Sequence, residues 1–593
     1  MTRTPLRPLA RILEARAKGE NPDAIERENL RLRHEAMRDR DRMRAEGRLL
    51  VVGVFFFCAF LLVGGRMGTL ASVEVEEPRA AVTGASILAQ RADITDRNGR
   101  ILATNLTTHA LYAQPPQMVD PARAARVRAR IFPDLDEAKL VEQFTGSRKF
   151  LWIKRRISPE QMQAVHDIGD PGLLFGPREM RLYPNGRLAS HVLGGASFGR
   201  EGVHAAEVVG VAGIEKTFDD FLRDPANGGQ PLELSIDLSV QAVVEQVLAG
   251  GMRLMNAKGA TAILMDVHTG EIISMASLPD FDPNDRPALP TSGDPADSPL
   301  FNRAVQGVYE LGSTFKIFPV AQALELGLIS PLTVLDTRSP LRWGRFRITD
   351  FRYYGPEMTV EEVMSKSSNI GTVRVAQMMG VQKQQEFLGR LGFLEPTPVE
   401  LVEAPFARPL LPRNWSEISM ITISYGHGLS ASPLHLATAY ATITNGGMRV
   451  SPTLVKRRGM EPGEQVISAR VSAQVRDMLR KTVTEGTASF GDVPGYEVGG
   501  KTGTADKPKR TGGYYDDKVI TTFASVFPVS DPKYVLVVTL DEPVETSGTE
   551  PRRTAGWTAV PVAAEIIRRV APLMGLPPSI EQGELIGVSL RSN

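Results

Sequence analysis

Three short motifs follow one another along the chain and together contain the groups of a serine acyl-transfer site. A Ser-x-x-Lys motif places a nucleophile one helical turn from a base, a Ser-x-Asn motif adds a hydroxyl and an amide, and a Lys-Thr-Gly-Thr motif adds a cation that can hold a carboxylate. They are Ser313-Thr314-Phe315-Lys316, Ser367-Ser368-Asn369 and Lys501-Thr502-Gly503-Thr504. The set predicts a reaction class that no single motif would predict.

The residues around the first motif predict a buried helix. Gly312 precedes Ser313, and mostly apolar residues follow as far as Leu324. In such a helix Ser313 and Lys316 share one face. Pro319 lies inside the same helix and cannot donate a backbone hydrogen bond, so we expect a kink or a tightened first turn there.

A second Ser-x-x-Lys tetrad, from Ser530 to Lys533, has a different context. Pro532 and the apolar run at residues 534–540 predict a turn that enters a strand. In a turn Lys533 would not lie one helical turn beneath Ser530. We interpret this tetrad as a chance match.

The 593 residues predict several domains, and the formal net charge of +1 gives no reason to expect a nucleic-acid partner. One region departs from ordinary globular composition: residues 49–65 carry no charge, and with the segment to residue 71 they are long enough to cross a bilayer. Arginines dominate before this run and glutamates follow it, which disfavours a buried core helix and predicts a cytoplasmic N-terminus with the rest exported. The charged leader is too long for a cleaved signal peptide, so we predict an uncleaved membrane anchor.

Cysteine and histidine usage argues against disulfides and metal sites. Cys58 is the only cysteine and lies inside the apolar run, so the exported part cannot form an intramolecular disulfide. The eight histidines have neither paired spacing nor thiol companions. We therefore expect no metal and no cofactor, and we assign structural roles to His191, His204, His268 and His427.

Composition and periodicity predict an α+β protein with five parts. They are a cytoplasmic tail (1–48), a transmembrane anchor (49–71), an elongated α+β pedestal (72–230), a catalytic domain (231–573) and a C-terminal tail (574–593). Five runs of strand-like residues in the catalytic domain predict an antiparallel sheet flanked by helices; they lie at 260–266, 271–277, 498–504, 519–527 and 534–540. A capping-box pattern from Thr359 to Glu362 predicts the start of the helix before Ser367.

Taken together, these motifs resemble the class B penicillin-binding proteins, the monofunctional transpeptidases of bacterial cell-wall synthesis. The resemblance covers nearly the whole exported chain, because residues outside the catalytic motifs also look like that class's pedestal motifs. These are Arg91 with Asp96-Arg97-Asn98-Gly99, Arg181-Leu182-Tyr183-Pro184 with His191-Val192-Leu193-Gly194, and Gly213-Ile214-Glu215-Lys216 with Phe218-Asp219. Residues 309–316, 424–428 and 433–437 look most like the septal, cell-division member. The elongation-specific member is the nearest alternative.

The resemblance implies a mechanism for the motif residues. Ser313 attacks the penultimate D-Ala carbonyl of a peptidoglycan stem peptide and passes its proton to a neutral Lys316. Ser367 and Asn369 relay the proton to the leaving amine and hold the peptide.

The terminal carboxylate is bound by Lys501, Thr502 and Thr504. Gly503, with Gly499 and Gly500, lets the substrate backbone approach. Backbone N–H groups of Ser313 and Thr504 form the oxyanion hole.

The same resemblance implies partners and leaves alternatives. β-Lactams would bind covalently to Ser313, and the pedestal and membrane helix would contact a SEDS-type glycosyltransferase and other divisome proteins. A D,D-carboxypeptidase or β-lactamase uses the same first step but transfers the acyl group to water. A penicillin-binding sensor or inactive scaffold would need no catalysis at all.

Overall fold

The computed structural model describes residues 13–72, 91–201, 206–457, 459, 463–509 and 512–579, in two compact units, Met1–Ser86 and Ile87–Asn593. His204 and most of the predicted C-terminal tail lie outside the described residues. In the first unit, helix α1 (Pro22–Ser72) joins the charged segment and the apolar run without a break. Its stretch Glu46–Arg66 has 21 residues, none of them buried against protein. At 1.5 Å per residue this stretch spans about 30 Å, the thickness of a bilayer core.

The second unit begins with the pedestal. Its strands are β1 (Ile94–Thr95), β2 (Ile101–Ala113), β3 (Leu151–Ile157), β4 (Leu173–Leu182), β5 (Gly195–Glu201), β6 (Ala206–Ala212) and β7 (Leu232–Glu233). Its helices are α2 (Pro121–Ile131), α3 (Glu137–Thr145), α4 (Pro159–His166), α5 (Ser190–Leu193), α6 (Gly213–Thr217) and α7 (Asp219–Arg223). The long strand β2 pairs with β1, β3 and β4, and β5 pairs with β6. The turn predicted at residues 96–99 does join two antiparallel strands, β1 and β2.

The pedestal motifs meet in one buried ion network. Arg91 donates to Glu215 (Nε to Oε2, 2.7 Å) and to Asp219 (Nη1 to Oδ1, 2.7 Å), and Arg181 donates to the other oxygen of Glu215 at 2.6 Å. The Tyr183 hydroxyl donates to the same carboxylate at 3.2 Å. Buried charges are tolerated when they are paired and hydrogen-bonded, so this network connects three distant segments of the chain.

The catalytic part contains a five-stranded antiparallel sheet. Its strands, in spatial order, are β14 (Gly499–Pro508), β15 (Tyr514–Phe527), β16 (Tyr534–Asp541), β8 (Gly259–Asp266) and β9 (Ile272–Leu278). All five predicted strands are therefore confirmed. Lys533 lies in the connection just before β16 and pairs with Asp531 at 2.8 Å, so the second Ser-x-x-Lys tetrad is not helical.

Helices cover both faces of this sheet. Along β16, Val535 and Val537 enter one hydrophobic core, whereas Leu536, Val538 and Leu540 enter the other. Successive side chains of a strand point to opposite faces, so a strand that is covered on both faces is mostly apolar. Helices α8 (Leu238–Leu254) and α16 (Ala559–Leu573) contribute to the second of these cores.

The segment between β9 and β14 carries the remaining helices. They are α9 (Ile317–Glu325), α10 (Val360–Ser365), α11 (Asn369–Met379), α12 (Val381–Arg390), α13 (Glu417–Ser424), α14 (Pro433–Thr444) and α15 (Ala469–Thr484). Two short ribbons, β10 (Val334–Asp336) with β13 (Glu357–Thr359) and β11 (Leu341–Trp343) with β12 (Phe346–Ile348), precede α10. The predicted capping box is confirmed, because the side chains and backbones of Thr359 and Glu362 bond reciprocally.

Candidate active site

Ser313 lies in a short 3-10 helix, Gly312–Lys316, that leads directly into α9. Residues i and i+3 of a 3-10 helix eclipse one another, so Ser313 and Lys316 stand on the same side. The tightened first turn that Pro319 predicts is confirmed by this 3-10 geometry. Ser313 is half-buried, whereas Lys316 is only 1% exposed.

Glycines allow two other segments to approach this nucleophile segment closely. Gly312 has φ +56°, donates its N–H to Gly426 O at 3.2 Å, and lies so near that a Cβ on Gly426 would be 1.8 Å from Gly312 O. A Cβ on Gly503 would be 2.2 Å from Leu311 O. The missing side chain of Gly503 therefore makes room for the nucleophile segment, and the expected approach of substrate at this glycine stays a prediction.

Both motif lysines converge on Ser367. Lys316 Nζ donates to the Ser367 carbonyl at 2.5 Å and to its Oγ at 3.1 Å. Lys501 Nζ donates to the same Oγ at 2.8 Å. A hydroxyl oxygen has two lone pairs, so these two donors occupy both and leave the Ser367 proton available to another acceptor.

Burial shifts the protonation of both lysines. Desolvation lowers the pKa of Lys316 to about 7, although the charge of Asp350 opposes this shift. Desolvation also lowers the pKa of Lys501 well below its usual range, and the nearby Lys316 lowers it further. Burial is therefore the cause that favours the expected neutral form of Lys316, and the charge that acts on Lys316 is that of Asp350.

Ser367 has a strained backbone, with φ +62° in the left-handed region that non-glycine residues rarely adopt. This conformation coincides with the bond between its carbonyl oxygen and Lys316 Nζ. Non-glycine residues are held in this region only where surrounding contacts enforce it, which is common at functional sites. The strain here places one residue against both lysines.

Asp350 is the group that holds the second motif in place. Its Oδ2 accepts from Ser368 Oγ at 2.7 Å, and its Oδ1 accepts from the backbone N–H groups of Asn369 at 2.6 Å and Ile370 at 3.0 Å. The Asn369 amide donates to Thr349 O at 2.9 Å. A carboxylate at the N-terminus of α11 satisfies its free N–H groups, so residues 349–350 orient both Ser368 and Asn369.

The third motif lies on β14, the edge strand of the sheet, which pairs only with β15 among the described strands. Thr502 Oγ1 bonds to Thr487 Oγ1 at 2.8 Å, and Thr504 Oγ1 accepts from Ala555 N–H at 3.0 Å. An edge strand leaves alternate backbone groups unpaired, so an extended peptide can add to it as a further strand.

These elements enclose a cavity of about 450 Å³. Six predicted site residues line it: Ser313, Lys316, Ser367, Asn369, Thr502 and Thr504. Lys501 lies beneath the cavity and reaches it through Ser367, and Gly503 is not part of its wall. The other lining residues include Arg352, Lys366, Tyr425, His427 and Trp557, and no carboxylate is found among the described lining residues.

Sequence reasoning missed three residues around this cavity. Asp350 lies in a connection without any local signal, because its partners are separated from it by about twenty residues. Glu310 and His427 were part of the resemblance, but Glu310 received no role and His427 only a structural one. The structure joins them: His427 Nδ1 lies 3.0 Å from Glu310 Oε2. The ring of His427 lines the cavity, and the structural role that we assigned to it stays a prediction.

Comparisons with known proteins agree with this architecture. The family model for the penicillin binding protein transpeptidase domain matches residues 260–568, and that for the penicillin-binding protein dimerisation domain matches residues 86–235. The range 260–568 contains all three catalytic motifs, and the range 86–235 contains the ion network of the pedestal.

Curated relatives and solved structures agree as well. The chain is 35% identical over 566 residues to the probable peptidoglycan D,D-transpeptidase FtsI of Caulobacter vibrioides, with 92% of each chain covered. It is 28% identical to the peptidoglycan D,D-transpeptidase FtsI of Escherichia coli K12, with 88% and 91% covered. The penicillin binding protein 3 of Mycobacterium tuberculosis, solved with aztreonam, superposes with a TM-score of 0.63 at 26% identity and covers 83% of this chain and 97% of its own. The chain therefore belongs to the class B penicillin-binding proteins, in the septal, FtsI-type group, and carries their serine-type transpeptidase domain.

Proposed function

We propose that this chain is a peptidoglycan D,D-transpeptidase of the division septum, which crosslinks stem peptides through an acyl-enzyme on Ser313. One observation carries the assignment of the residues: two buried lysines from separate motifs converge on Ser367, beside the cavity that Ser313 lines. This arrangement supplies a base, a proton relay and a nucleophile in one enclosed space.

The first half-reaction uses the neutral form of Lys316. Ser313 Oγ attacks the D-Ala carbonyl of the donor stem peptide while its proton passes to Lys316 Nζ. Because the pKa of Lys316 is lowered to about 7, a large fraction is neutral at neutral pH and the conjugate acid can still release its proton. Backbone N–H groups of Ser313 and Thr504 would stabilise the oxyanion, a contribution of roughly 3 to 4 kcal/mol per donor in well-studied enzymes.

The leaving D-Ala amine must receive a proton. Ser367 Oγ accepts from both lysines, so its own proton is the one that it can donate. When Ser367 gives this proton to the amine, Lys316 replaces it. Asn369 and the free edge of β14 hold the peptide in an extended form during this transfer.

The positive lining of the cavity supports an acidic substrate. Two cationic side chains, Arg352 and Lys366, lie in the wall. The terminal carboxylate of a stem peptide would be held by Lys501 together with the hydroxyls of Thr502 and Thr504. No carboxylate is found among the described lining residues, which supports transfer of the acyl group to an amine more than to a water activated by an acidic side chain of the wall.

The helix α1 and the charges that flank it support a placement in the membrane. We propose a cytoplasmic N-terminus, one membrane span and a periplasmic catalytic domain, because arginines precede the apolar stretch Glu46–Arg66 and glutamates follow it. A SEDS-type glycosyltransferase and other divisome proteins are the proposed partners of α1 and the pedestal. These partners rest on the family resemblance.

Intact-mass spectrometry of the full chain in detergent, after incubation with benzylpenicillin, tests the assignment. The wild type should carry one stable penicilloyl adduct, and Ser313→Ala none. Ser530→Ala is a matched control, because Ser530 belongs to the other Ser-x-x-Lys tetrad, and it should be labelled like the wild type. An adduct that is lost rapidly would indicate a hydrolase, and the absence of any wild-type adduct would favour the scaffold.

A further inference from the structure

The side chain of Glu310 connects three segments at the mouth of the cavity. Its carboxylate accepts from His427 Nδ1 at 3.0 Å, from Gly428 N–H at 2.7 Å and from the Tyr514 hydroxyl at 3.1 Å. Burial opposes ionisation, but the hydrogen bonds from His427 and Gly428 outweigh it and lower the pKa of Glu310. Glu310 is therefore an anion held three residues before the nucleophile.

An anionic carboxylate fixes the tautomer of the histidine. A carboxylate only accepts hydrogen bonds, so Nδ1 of His427 must carry a proton. In the neutral ring the lone pair then lies on Nε2, which makes no hydrogen bond with any described residue. The rings of Tyr425 and Tyr514 lie edge-on to the imidazole, with centroids 5.6 and 6.4 Å away, and the side chain is 32% exposed. Nε2 is thus a proton acceptor that substrates can reach.

The other basic groups of the described cavity wall are less suited to receive a proton from an incoming ammonium group. Lys316 is bonded to Ser367, and Arg352 and Lys366 are cations that repel an incoming ammonium group. Glu310 behind His427 places a negative charge at this one part of an otherwise positive cavity. His427 also lies close to the nucleophile, because Gly426, its neighbour, accepts a hydrogen bond from Gly312 N–H.

We propose that His427 binds the primary ammonium group of the acceptor strand and removes its first proton, with Glu310 as the positioning residue. This inference rests on the proposed transpeptidase function and concerns its second half-reaction.

The ammonium gives one proton to His427 Nε2 and becomes an amine. The amine nitrogen bonds to the acyl carbon, the bond from that carbon to Ser313 Oγ breaks, and the second proton of nitrogen passes through Lys316 to Ser313 Oγ. His427 then releases its proton to solvent.

The test compares two acceptor amines on the full chain in detergent. A thioester analogue of an acyl-D-alanine acylates the enzyme, and the products of aminolysis and hydrolysis are separated by chromatography. D-Alanine is an acceptor that is mostly protonated at neutral pH, whereas hydroxylamine is mostly neutral. His427→Asn keeps a donor for Glu310 but has no basic nitrogen, and His166→Asn, an exposed pedestal histidine, is the matched control.

His427→Asn should lower the ratio of aminolysis to hydrolysis with D-alanine by at least about tenfold, within the range of general-base effects. With hydroxylamine the same ratio should change little, because that acceptor needs no deprotonation. An unchanged ratio with D-alanine would overturn the inference, and so would an equal loss with both amines, which would indicate a structural role. If acylation of the wild type itself fails, the proposed function fails and this inference with it.

Discussion

Two buried clusters of cationic side chains occur in the second unit, and they differ in whether carboxylates neutralise the charges. In the pedestal, Arg91 and Arg181 are paired with the carboxylates of Glu215 and Asp219 at hydrogen-bond distance. In the catalytic part, Lys316 and Lys501 both donate to the Ser367 hydroxyl. Their other hydrogen bonds go to backbone carbonyls and not to carboxylates. Asp350 raises the pKa of Lys316 through its charge, and it forms no hydrogen bond with either amine.

The difference teaches which cluster is structural and which is chemical. Arginine keeps its charge when buried, and its planar donors match carboxylates, so the pedestal network is a permanent connection. Lysine loses its proton readily when buried, so Lys316, whose pKa is lowered to about 7, can exchange protons near neutral pH. Changes in the first cluster should therefore alter stability, and changes in the second should alter reaction rates.

The largest effect is expected from Lys316→Met, which replaces the amine by an apolar chain of similar length. The second-order rate constant of acylation by benzylpenicillin should fall by about 10²- to 10⁴-fold, because the general base is lost. The midpoint of thermal unfolding should stay the same or rise, since a buried amine has been removed. Stopped-flow acylation and scanning fluorimetry measure the two quantities.

The exposed Lys383→Met on α12 is the control for the loss of a lysine as such. If Lys316→Met retained more than about a tenth of the wild-type rate, Lys316 would not be the base.

The converse change is Glu215→Gln in the pedestal. It leaves Arg91 and Arg181 buried without their shared counter-charge, which should destabilise the fold by about 3 to 5 kcal/mol. At low temperature, where the variant remains folded, acylation should proceed at nearly the wild-type rate. Denaturant titration with the exposed Glu142→Gln as control measures the loss. An unchanged unfolding midpoint would contradict the structural role of the network.

A third prediction concerns pH. Lys316 acts as a base only when it is neutral, and its pKa is lowered to about 7. Acylation should therefore be fastest above pH 7 and should fall roughly tenfold per pH unit below it. The rate constant is measured with the wild-type chain over about three pH units on either side of neutrality. A profile that stays flat down to about pH 5 would mean that Lys316 is not the titrating base.

The smallest effect is expected from Asp350→Asn. The charge of Asp350 raises the pKa of Lys316 against the effect of burial, so removing the charge should lower that pKa further. The acid limb of the acylation profile should move to lower pH by less than about one unit. The α11 N-terminus would also lose part of its capping, about 1 kcal/mol. A shift to higher pH would contradict the charge effect, and the exposed Asp285→Asn should leave the profile unchanged.

Local interactions explain what the sequence by itself determined. The spacing of Ser313 and Lys316, the strand runs and the capping box at Thr359 depend on neighbours within a few residues, and alternation or helical spacing reveals such patterns directly. The three motifs also determined the reaction class, because each chemical group is present in the residue type itself. The tightened first turn before α9 also depends on a near neighbour in the sequence, Pro319.

Only the tertiary structure decided how those groups are used. Lys316 and Lys501 meet at Ser367 across 51 and 134 residues of chain, and Glu310 meets His427 across 117. Contacts at such separations leave no periodic trace, so Asp350 and Glu310 carried no signal as residues that orient the site. Burial, which lowers the pKa of both lysines, is likewise a property of the packed fold and not of any single segment.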